Sequence, residues 1–347
     1  MQPCNFTVMN DEWTAAESIR SHEVARRLVR SVHPPSPLEP VPALGSVAEV
    51  ALKREDLGPN GSFKWRGALC ALSDFAAGRA RAVVTASTGN HGAATAWAAD
   101  RFGLDAHIVV PRGANELKCR LVEDNGAILH RVGADLNAAD EHARRFAEDL
   151  GAPYFEDGAS PAQLLGAATI GWEIAETGAD VVIAPLAVGA LAGGIGKGLA
   201  AAGSAARLYG VQATSHDAIA RRIQGRPPTP EPGRTFADGL ADTRVLEPAF
   251  GACREHLSGI IVVGEAELEA AVRDLWAAAG IVAEGAGAAA LAGLRSLDLE
   301  EHGSSRVVLV ISGRNLDPQV AKRLLPGAAL KSGFPATGDG GRSLSVR

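Results

Sequence analysis

A glycine-serine-phenylalanine turn delivers Lys64 to the start of an apolar helix, within the segment EDLGPNGSFKWRGALCAL (residues 55–72). Ordering a lysine costs side-chain entropy, and removing it from water costs solvation free energy. One interpretation is an exposed helix lysine beside Arg66. The other is a buried amine that is kept neutral so that it acts as a nucleophile. The rest of the chain decides between them.

Three further segments combine apolar strands with small or polar residues that follow them: TASTGNHG (85–92), APLAVGALAGGIG (184–196) and ISGRN (311–315). In open α/β sheets, ligands bind beyond the carboxyl ends of the strands, where amides at helix N-termini favour anions. The three segments therefore predict a site for a small anionic ligand, which favours the nucleophilic interpretation of Lys64.

The elements that must position these segments alternate between β-branched runs and helical stretches. Strands are predicted at RAVVTAS, AHIVVP, AILHRV, ADVVIAPLAVG, ARLYGVQAT and SRVVLVISGRN, with helices at GNHGAATAWAADRFG, ANELKCRLVEDNGA, LNAADEHARRFAEDLG, GGIGKGLAAAG and EAELEAAVRDLWAAAG. This rhythm is typical of an α/β fold with a doubly wound parallel sheet. GRPPTPEPGR is expected to be a surface loop.

Composition excludes several classes of protein. Hydrophobic residues make up 46% and charged residues 21% of the 347 positions, which is typical of a globular protein and not of a disordered one. The net charge of -6 contains no basic tract for nucleic acid, and no apolar run is long enough for a membrane span. The N-terminus has no signal-peptide pattern, and the four scattered cysteines have no CxxC pair, so a cytoplasmic protein with free thiols is expected.

A nucleotide-binding enzyme is the weaker alternative. Neither glycine-rich segment has G-x-G-x-x-G directly after its strand with an acidic residue at the ribose-binding distance. A Walker A motif also fails, because Gly198 follows Lys197 where serine or threonine is required.

Taken together, the Lys64 turn and the three segments resemble the fold-type II pyridoxal-phosphate-dependent enzymes (the tryptophan synthase beta-like superfamily), and among them the serine/threonine dehydratase family. The resemblance extends from about PSPLEPVPAL (35–44) to SGRNLD (312–317) and includes TFADGLA and AEGAGAAAL. It implies two domains with pyridoxal 5'-phosphate in the cleft between them. We expect a large domain from residues 1–80 and 160–330, a small domain from 81–159, and a flexible tail from 331–347.

The resemblance implies a role for each residue of the Lys64 turn. Lys64 matches the family lysine that bonds covalently to the cofactor aldehyde, a reaction that requires a free amine. Phe63 is expected to pack beside the cofactor ring. Ser62 is small enough for the tight turn and belongs to the expected substrate-binding set.

The STGNHG loop matches the segment that receives the substrate carboxylate on amides and hydroxyls. Its expected substrate-binding residues are Ser87, Thr88, Gly89, Asn90 and His91. Asn90 is also expected to bind the phenolic oxygen of the cofactor. Thr88 is a second candidate catalytic residue, with a helix-capping role as the alternative. For His91 we favour a structural hydrogen bond over acid-base chemistry.

Ser312 matches the family position that faces the pyridine nitrogen, where a hydroxyl hydrogen-bonds the ring without protonating it. A neutral ring is a weaker electron sink, which suits loss of a β-leaving group better than transamination. Glu284 matches an acidic position near the cofactor, either with a role in the site or as a paired structural carboxylate.

The expected phosphate-binding loop departs from the family's glycine run. It consists of Ala187, Val188, Gly189, Ala190 and Leu191. A β-branched residue tolerates positive φ poorly, so either the loop keeps negative φ at 187 and 188 or phosphate affinity is reduced. Replacement of Val188 by glycine is expected to leave cofactor affinity unchanged or improved.

Two other departures concern specificity and metal binding. Arg314 replaces a glycine of the usual SGGN and either tunes substrate choice or points to solvent. Where serine racemase carries acidic cation ligands, this chain has Gln212, His216 and Ala218, so no metal site and no need for a divalent cation are expected.

The resemblance implies an ammonia-lyase (dehydratase) that converts a small β-hydroxy amino acid such as serine or threonine to a 2-oxo acid and ammonia. The alternatives are a β-replacement synthase or racemase of the same fold, and a family member that has lost catalysis and serves as a binding partner. A homodimer is the family expectation; no nucleic acid or membrane partner is expected.

Overall fold

The computed structural model describes residues 21–44, 48–229, 233–297 and 306–326. Within these ranges the chain forms two separate β-sheets surrounded by helices. The strands are β1 (Leu38–Pro40), β2 (Glu49–Arg54), β3 (Ala82–Ala86), β4 (Asp105–Val110), β5 (Ile128–Arg131), β6 (Val181–Pro185), β7 (Arg207–Ala213), β8 (Gly259–Val263) and β9 (Arg306–Ile311). The helices are α1 (His22–Val32), α2 (Lys64–Ala77), α3 (Asn90–Phe102), α4 (Glu116–Glu123), α5 (Leu136–Leu150), α6 (Pro161–Ala175), α7 (Ala190–Ala201), α8 (Ala218–Ile223), α9 (Ala249–His256), α10 (Glu265–Ala279), α11 (Gly285–Leu294) and α12 (Pro318–Leu324).

The larger sheet has the strand order β1-β2-β9-β6-β7-β8, and the smaller sheet has the order β3-β4-β5. All neighbouring pairs are parallel except β1 and β2. The predicted α/β class with parallel sheets is thus confirmed, and the six predicted strands are β3, β4, β5, β6, β7 and β9.

The three strands of the smaller sheet fall inside residues 81–159, the range expected for the small domain. The exact domain boundaries stay a prediction. The expected flexible tail at 331–347 lies outside the described residues, as does part of the expected surface loop.

Apolar layers cover both faces of the larger sheet. One face packs against α10 and α11, around buried residues such as Leu268, Leu275 and Leu291. The other packs against α6 and α7, around Ile170 and Ile195. Because both faces are covered, the central strands are continuous apolar runs, as is expected of a parallel sheet with helices on either side.

The described cysteines agree with the expected free thiols: Cys70, Cys119 and Cys253 are buried and unpaired with one another, whereas Cys4 lies outside the described residues. None of the described helices combines the length and apolar composition that a bilayer crossing requires.

Candidate active site

The three predicted junctions converge on one cleft. β3, β6 and β9 end at Ala86, Pro185 and Ile311, and the chain after each strand lines the same cavity of about 190 Å³. Its wall includes every candidate site residue except Ser62: Phe63, Lys64, Ser87, Thr88, Gly89, Asn90, His91, Ala187, Val188, Gly189, Ala190, Leu191, Glu284 and Ser312.

Lys64 is the first residue of α2, and a left-handed turn places it there. Gly61 has a φ of +72°, and a Cβ at this position would lie 2.6 Å from Asn315 Oδ1, so the turn requires glycine. The turn is fixed to the third junction, because the Phe63 N–H donates to the Ser312 carbonyl at 2.9 Å and the Arg314 N–H to the Gly61 carbonyl at 2.9 Å.

Arg66 anchors α2 from below the cleft. Its side chain is fully buried and donates to Glu55 Oε2 at 2.9 Å, to Glu173 Oε1 at 2.7 Å and to Thr169 Oγ1 at 2.8 Å. A buried charge persists only when it is paired and hydrogen-bonded. The network therefore fixes the first turn of α2 and the direction in which Lys64 leaves it.

The amine of Lys64 ends in the cleft. Its side chain is 16% exposed, and its Nζ lies 5.0 Å from the centre of the Phe63 ring. The Nζ pairs with the carboxylate of Asp157, whose other oxygen accepts a hydrogen bond from Gln163 Nε2 at 2.6 Å. Burial would raise the pKa of Asp157, but the charges of Lys64 and His91 together with the hydrogen bonds from Lys64 and Gln163 outweigh it, and the pKa lies well below its ordinary value.

Asp157 and Gln163 were missed by the sequence analysis. Asp157 reaches the site because residues 153–155 extend the smaller sheet: the Val84 N–H donates to the Pro153 carbonyl at 3.0 Å, and the Phe155 N–H to the Val84 carbonyl at 2.8 Å. The signal was the short aromatic run PYFEDG between Gly151 and the helix-capping Ser160, which is typical of a further strand at the sheet edge.

Asn90 is held by hydrogen bonds to the side chains of Glu284 and Asn315. Its Nδ2 donates to both oxygens of Glu284, at 2.8 and 3.0 Å, and its Oδ1 accepts from Asn315 Nδ2 at 2.7 Å. Burial raises the pKa of Glu284 to about 7, and the charge of Asp238 adds to the shift. Of the two interpretations of Glu284, the geometry supports a role in the site, as the residue that holds Asn90.

The other polar residues of the STGNHG loop have distinct surroundings. Ser87 Oγ accepts from the backbone N–H of Gly89 at 3.3 Å and of Gly92 at 3.1 Å, so this hydroxyl ties together the start of α3. His91 Nε2 lies 3.1 Å from the Phe155 carbonyl, and burial lowers the pKa of its ring. These contacts support the structural hydrogen bond that we favoured for His91.

Ser62 lies behind the cleft wall. It is fully buried, its backbone forms a bridge with Gly313, and its hydroxyl lies 3.3 Å from the amide group of Asn60. Ser62 is fully buried and does not line the cavity, so the geometry does not support a direct substrate contact for it.

The expected phosphate loop keeps an ordinary backbone. Gly189 precedes α7 with a φ of +99°, and a Cβ there would lie 2.8 Å from Cys253 Sγ. Arg79 is the single non-glycine residue with positive φ in the described ranges, so Ala187 and Val188 keep negative φ. The loop therefore keeps negative φ at 187 and 188, which was the first of the two alternatives. The Val188 side chain turns into an apolar cluster with Leu164 and Ala249.

The residues of the remaining departures lie away from the cleft. Gln212 is fully buried; its Nε2 donates to the His216 carbonyl at 3.1 Å, and its Oε1 accepts from the Ala220 N–H at 2.9 Å. Over the described residues, no group of three or more potential ligands is arranged to hold a metal ion. Arg314 does not line the cleft. Its side chain lies beside the Gly61 turn, so close that a Cβ added to Gly61 would be 3.3 Å from Arg314 Cγ.

Comparison with known proteins assigns the chain to a family. Residues 29–313 match the model of the pyridoxal-phosphate dependent enzymes. The chain belongs to this family. It is 34% identical over 297 residues to the L-threonine ammonia-lyase of Thermotoga maritima, covering 82% of this chain and 72% of that protein.

Solved structures agree in fold. The processed form of threonine deaminase isoform 2 from Solanum lycopersicum superposes with a TM-score of 0.82 at 27% identity, covering 90% of this chain and 94% of that one. Maize serine racemase superposes with a TM-score of 0.81 at 26% identity, covering 89% and 96% of the two chains.

The residues present fit the family cofactor, pyridoxal 5'-phosphate. The start of α7 carries no side-chain cap, and Gly189 leaves its backbone open for an anion, as a phosphate requires. Lys64 and Ser312 line the same cleft, where Lys64 would supply the amine for the aldehyde and Ser312 a hydroxyl for the ring nitrogen.

Proposed function

We propose that the chain is an ammonia-lyase that converts a small β-hydroxy amino acid, such as threonine or serine, to a 2-oxo acid and ammonia. The observation that carries the proposal is the Lys64 amine in a cleft between the starts of α3 and α7, in a chain 34% identical to an L-threonine ammonia-lyase. When bound, the cofactor withdraws electrons from the substrate and makes its α-hydrogen acidic.

The chain's own residues supply binding and proton transfer. The substrate carboxylate is bound by the backbone at the start of α3, next to Gly89 and Asn90. Lys64 Nζ takes the α-proton as general base. The bond between Cβ and the hydroxyl oxygen then breaks, and Thr88, on the same wall, passes a proton to the hydroxyl so that water leaves, while the proton that Lys64 took from Cα restores the Thr88 hydroxyl and returns the amine to its neutral form. The released enamine hydrolyses to the 2-oxo acid and ammonia.

The first test is the product. The cofactor-loaded protein is incubated with a panel of amino acids, and 2-oxo acids are trapped with a hydrazine. We expect an oxo acid from at least one β-hydroxy amino acid. Racemised or β-substituted product without oxo acid would favour the racemase or the β-replacement synthase, and no product at all would favour a partner protein that has lost catalysis.

The second test is the lysine. Borohydride reduction of the loaded protein is expected to attach the cofactor to the peptide that contains Lys64, and K64A is expected to lose both the attachment and the oxo acid. Label on another lysine would contradict the assignment.

We further propose a cytoplasmic homodimer with two domains at the boundaries given above, active without a divalent cation. Light scattering of the purified protein measures its mass, and assay after prolonged chelation tests the metal. A large loss of activity that magnesium or calcium restores would show that the Gln212 loop has been misinterpreted.

A further inference from the structure

The cleft wall carries five carboxylates: Glu156, Asp157, Asp238, Asp242 and Glu284. A carboxylate at a partly buried wall needs a compensating charge or a proton. How each one is compensated determines which charge the site presents to a substrate.

Three of the five are balanced by cations that the reaction leaves in place. Glu156 accepts from Arg144 at 2.6 Å and from Arg244 at 3.1 Å. Asp242 accepts from Arg244 at 2.5 Å, and Asp238 pairs with Lys118.

Glu284 is compensated in another way. Burial raises its pKa to about 7, which favours the neutral form, and its two oxygens accept hydrogen bonds from Asn90. It requires no cation from the substrate.

Asp157 differs from these four. Among the described residues, its charged partner within hydrogen-bonding distance is Lys64, and its other contact there is the neutral amide of Gln163. His91 Nδ1 lies 3.8 Å away, but burial lowers the pKa of that ring and favours its neutral form. The cation of Asp157 is thus the amine that the cofactor consumes.

A covalent bond to the cofactor takes hydrogen-bond donors from Lys64, because a free ammonium has three and the bonded nitrogen at most one. During the reaction the same nitrogen must also lose its charge to act as a base. Asp157 is held by Gln163 beside Lys64 Nζ, the atom that removes the α-proton, and both residues line the cavity that receives the substrate.

We propose that Asp157 is a specificity-determining residue that binds a side-chain ammonium group, and that the preferred substrates are small diamino acids. This inference rests on the proposed function, because it keeps the same elimination at the same site and extends the leaving group from a β-hydroxyl to a β-amino group. The ammonium replaces the charge that Lys64 gives up, and a hydroxyl in the same place offers a hydrogen bond but no charge.

The reaction of the simplest such substrate balances without an oxidant. For L-2,3-diaminopropionate, the α-hydrogen is lost to Lys64 and the bond between Cβ and nitrogen breaks, the nitrogen leaving as ammonia. Hydrolysis of the released enamine consumes one water and gives pyruvate and a second ammonia.

The test compares L-2,3-diaminopropionate with L-serine, which differ by an ammonium in place of a hydroxyl, on the cofactor-loaded enzyme. We expect wild type to have a kcat/KM at least tenfold higher for the diamino acid. D157N is expected to reduce this ratio at least tenfold. E156Q is the matched control, because Glu156 is the neighbouring wall carboxylate with two arginine partners. We expect E156Q to change kcat/KM for both substrates by the same factor.

A second measurement does not depend on turnover. L-2,4-diaminobutyrate and L-2-aminobutyrate have no β-leaving group, so their dissociation constants are measured from the absorbance change of the loaded enzyme. We expect tighter binding of the diamino acid by at least tenfold in wild type, and loss of that difference in D157N with L-2-aminobutyrate unaffected.

The outcomes separate the two proposals. Oxo acid from serine or threonine, with no preference for diamino acids and equal dissociation constants, would overturn this inference and leave the proposed function in place. A D157N spectrum altered without ligand, with the affinity ratio unchanged, would also overturn it, because Asp157 would then serve the cofactor-bound lysine. A loaded wild type that yields no oxo acid from any amino acid would overturn the proposed function itself.

Discussion

Asn90, Glu284 and Asn315 form a chain of hydrogen bonds across the cleft, from the start of α3 to the segment after β9. An amide has a fixed set of donors and acceptors, so the amide nitrogen of Asn315, which donates to Asn90 Oδ1, and the carboxylate of Glu284, which accepts from Asn90 Nδ2, determine which way the Asn90 amide faces. A residue expected to bind the cofactor directly is thus positioned by another whose role the sequence left open.

Glu284 should make stability depend on pH. Its pKa is about 7 in the folded protein and about 4.5 when unfolded, so between these values folding takes up a proton. The stability linked to the protonated Glu284 is fully present below about pH 4.5 and is lost as pH rises through about 7. E284Q does not titrate, and we expect its stability relative to wild type to be higher at pH 8 than at pH 5.

Urea unfolding of the cofactor-free protein at the two pH values measures this difference. E148Q, on the exposed face of α5, serves as the control and should show no such change. An E284Q difference that is the same at both pH values would show that the Glu284 pKa is not raised.

Val188 offers a second test at this scale. Its backbone has negative φ, so glycine relieves no strain there, and we expect V188G to leave cofactor affinity within about threefold of wild type. Its side chain is 2% exposed in an apolar cluster, so the same change should lower the stability of the cofactor-free protein by about 2–3 kcal/mol.

A cofactor titration and a denaturant titration of the same samples separate the two effects. A187G is the matched control, because Ala187 is less buried and loses a smaller side chain. A large loss of cofactor affinity in V188G alone would mean that the valine side chain shapes the phosphate site.

Which site residues could be predicted depended on whether their neighbours are close in sequence. Lys64, Asn90 and Ser312 stand in short local motifs, and all three line the cleft. Asp157 reaches Lys64 across 93 positions, through a bridge between Tyr154 and Val84 of β3 that spans three helices and two strands and leaves only a short aromatic run as its signal.

At the scale of the elements, the glycines have a second role that their positions in the sequence did not reveal. Gly61 and Gly189 serve turns with positive φ, but several other glycines lie within α6 and α7, where the two helices pack closely. A Cβ on Gly198 would lie 2.0 Å from the Ala168 carbonyl oxygen, and one on Gly194 would lie 2.4 Å from the Ala167 Cβ. The backbones approach so closely that no side chain fits between them.

We therefore expect G198A to destabilise the protein by on the order of 3 kcal/mol, because the added methyl meets backbone that cannot move aside without separating the helices. Thermal unfolding of the cofactor-free protein measures the loss. G113A is the control, since nothing lies within 4 Å of a Cβ at that loop position. Equal melting temperatures for the two variants would contradict the close packing.

Two of the elements that were not predicted from the sequence, β8 and α11, lack the expected strand and helix patterns. β8 is an edge strand of five residues whose side chains are mostly half-exposed. α11 is GAGAAALAGL, apolar on all sides because it is fully buried, so it has no period of 3.6 residues to detect. The structure of both elements depends on contacts with the larger sheet, which β8 extends at its edge and α11 covers on one face.

At the scale of the whole molecule, polar contacts join the two sides of the cleft. Lys118 of α4 pairs with Asp238, and Asn115 Nδ2 donates to Asp317 Oδ2 at 3.0 Å. Arg244 donates to Glu156 at 3.1 Å, again from the larger sheet's side to the smaller one's. These contacts lie at the rim, where they hold the two sides together over the site.

Removing one contact should loosen the cleft without unfolding either side. Lys118 is 23% exposed at its side chain and Asp238 47%, so the pair adds little to global stability and acts mainly on the relative position of the two sides. We expect K118M to increase amide hydrogen exchange in α4 and around Asp238, and to raise KM more than it lowers kcat.

R131M is the matched control, because Arg131 pairs with Glu116 at 3.0 Å within the smaller sheet's side and does not cross the cleft. Amide hydrogen exchange of both variants, measured by mass spectrometry with the cofactor bound, tests whether the rim contacts hold the two sides of the cleft together. If K118M and R131M exchange alike in α4 and neither changes around Asp238, the rim contacts do not control closure, and the cofactor's own contacts with both sides must hold the cleft together.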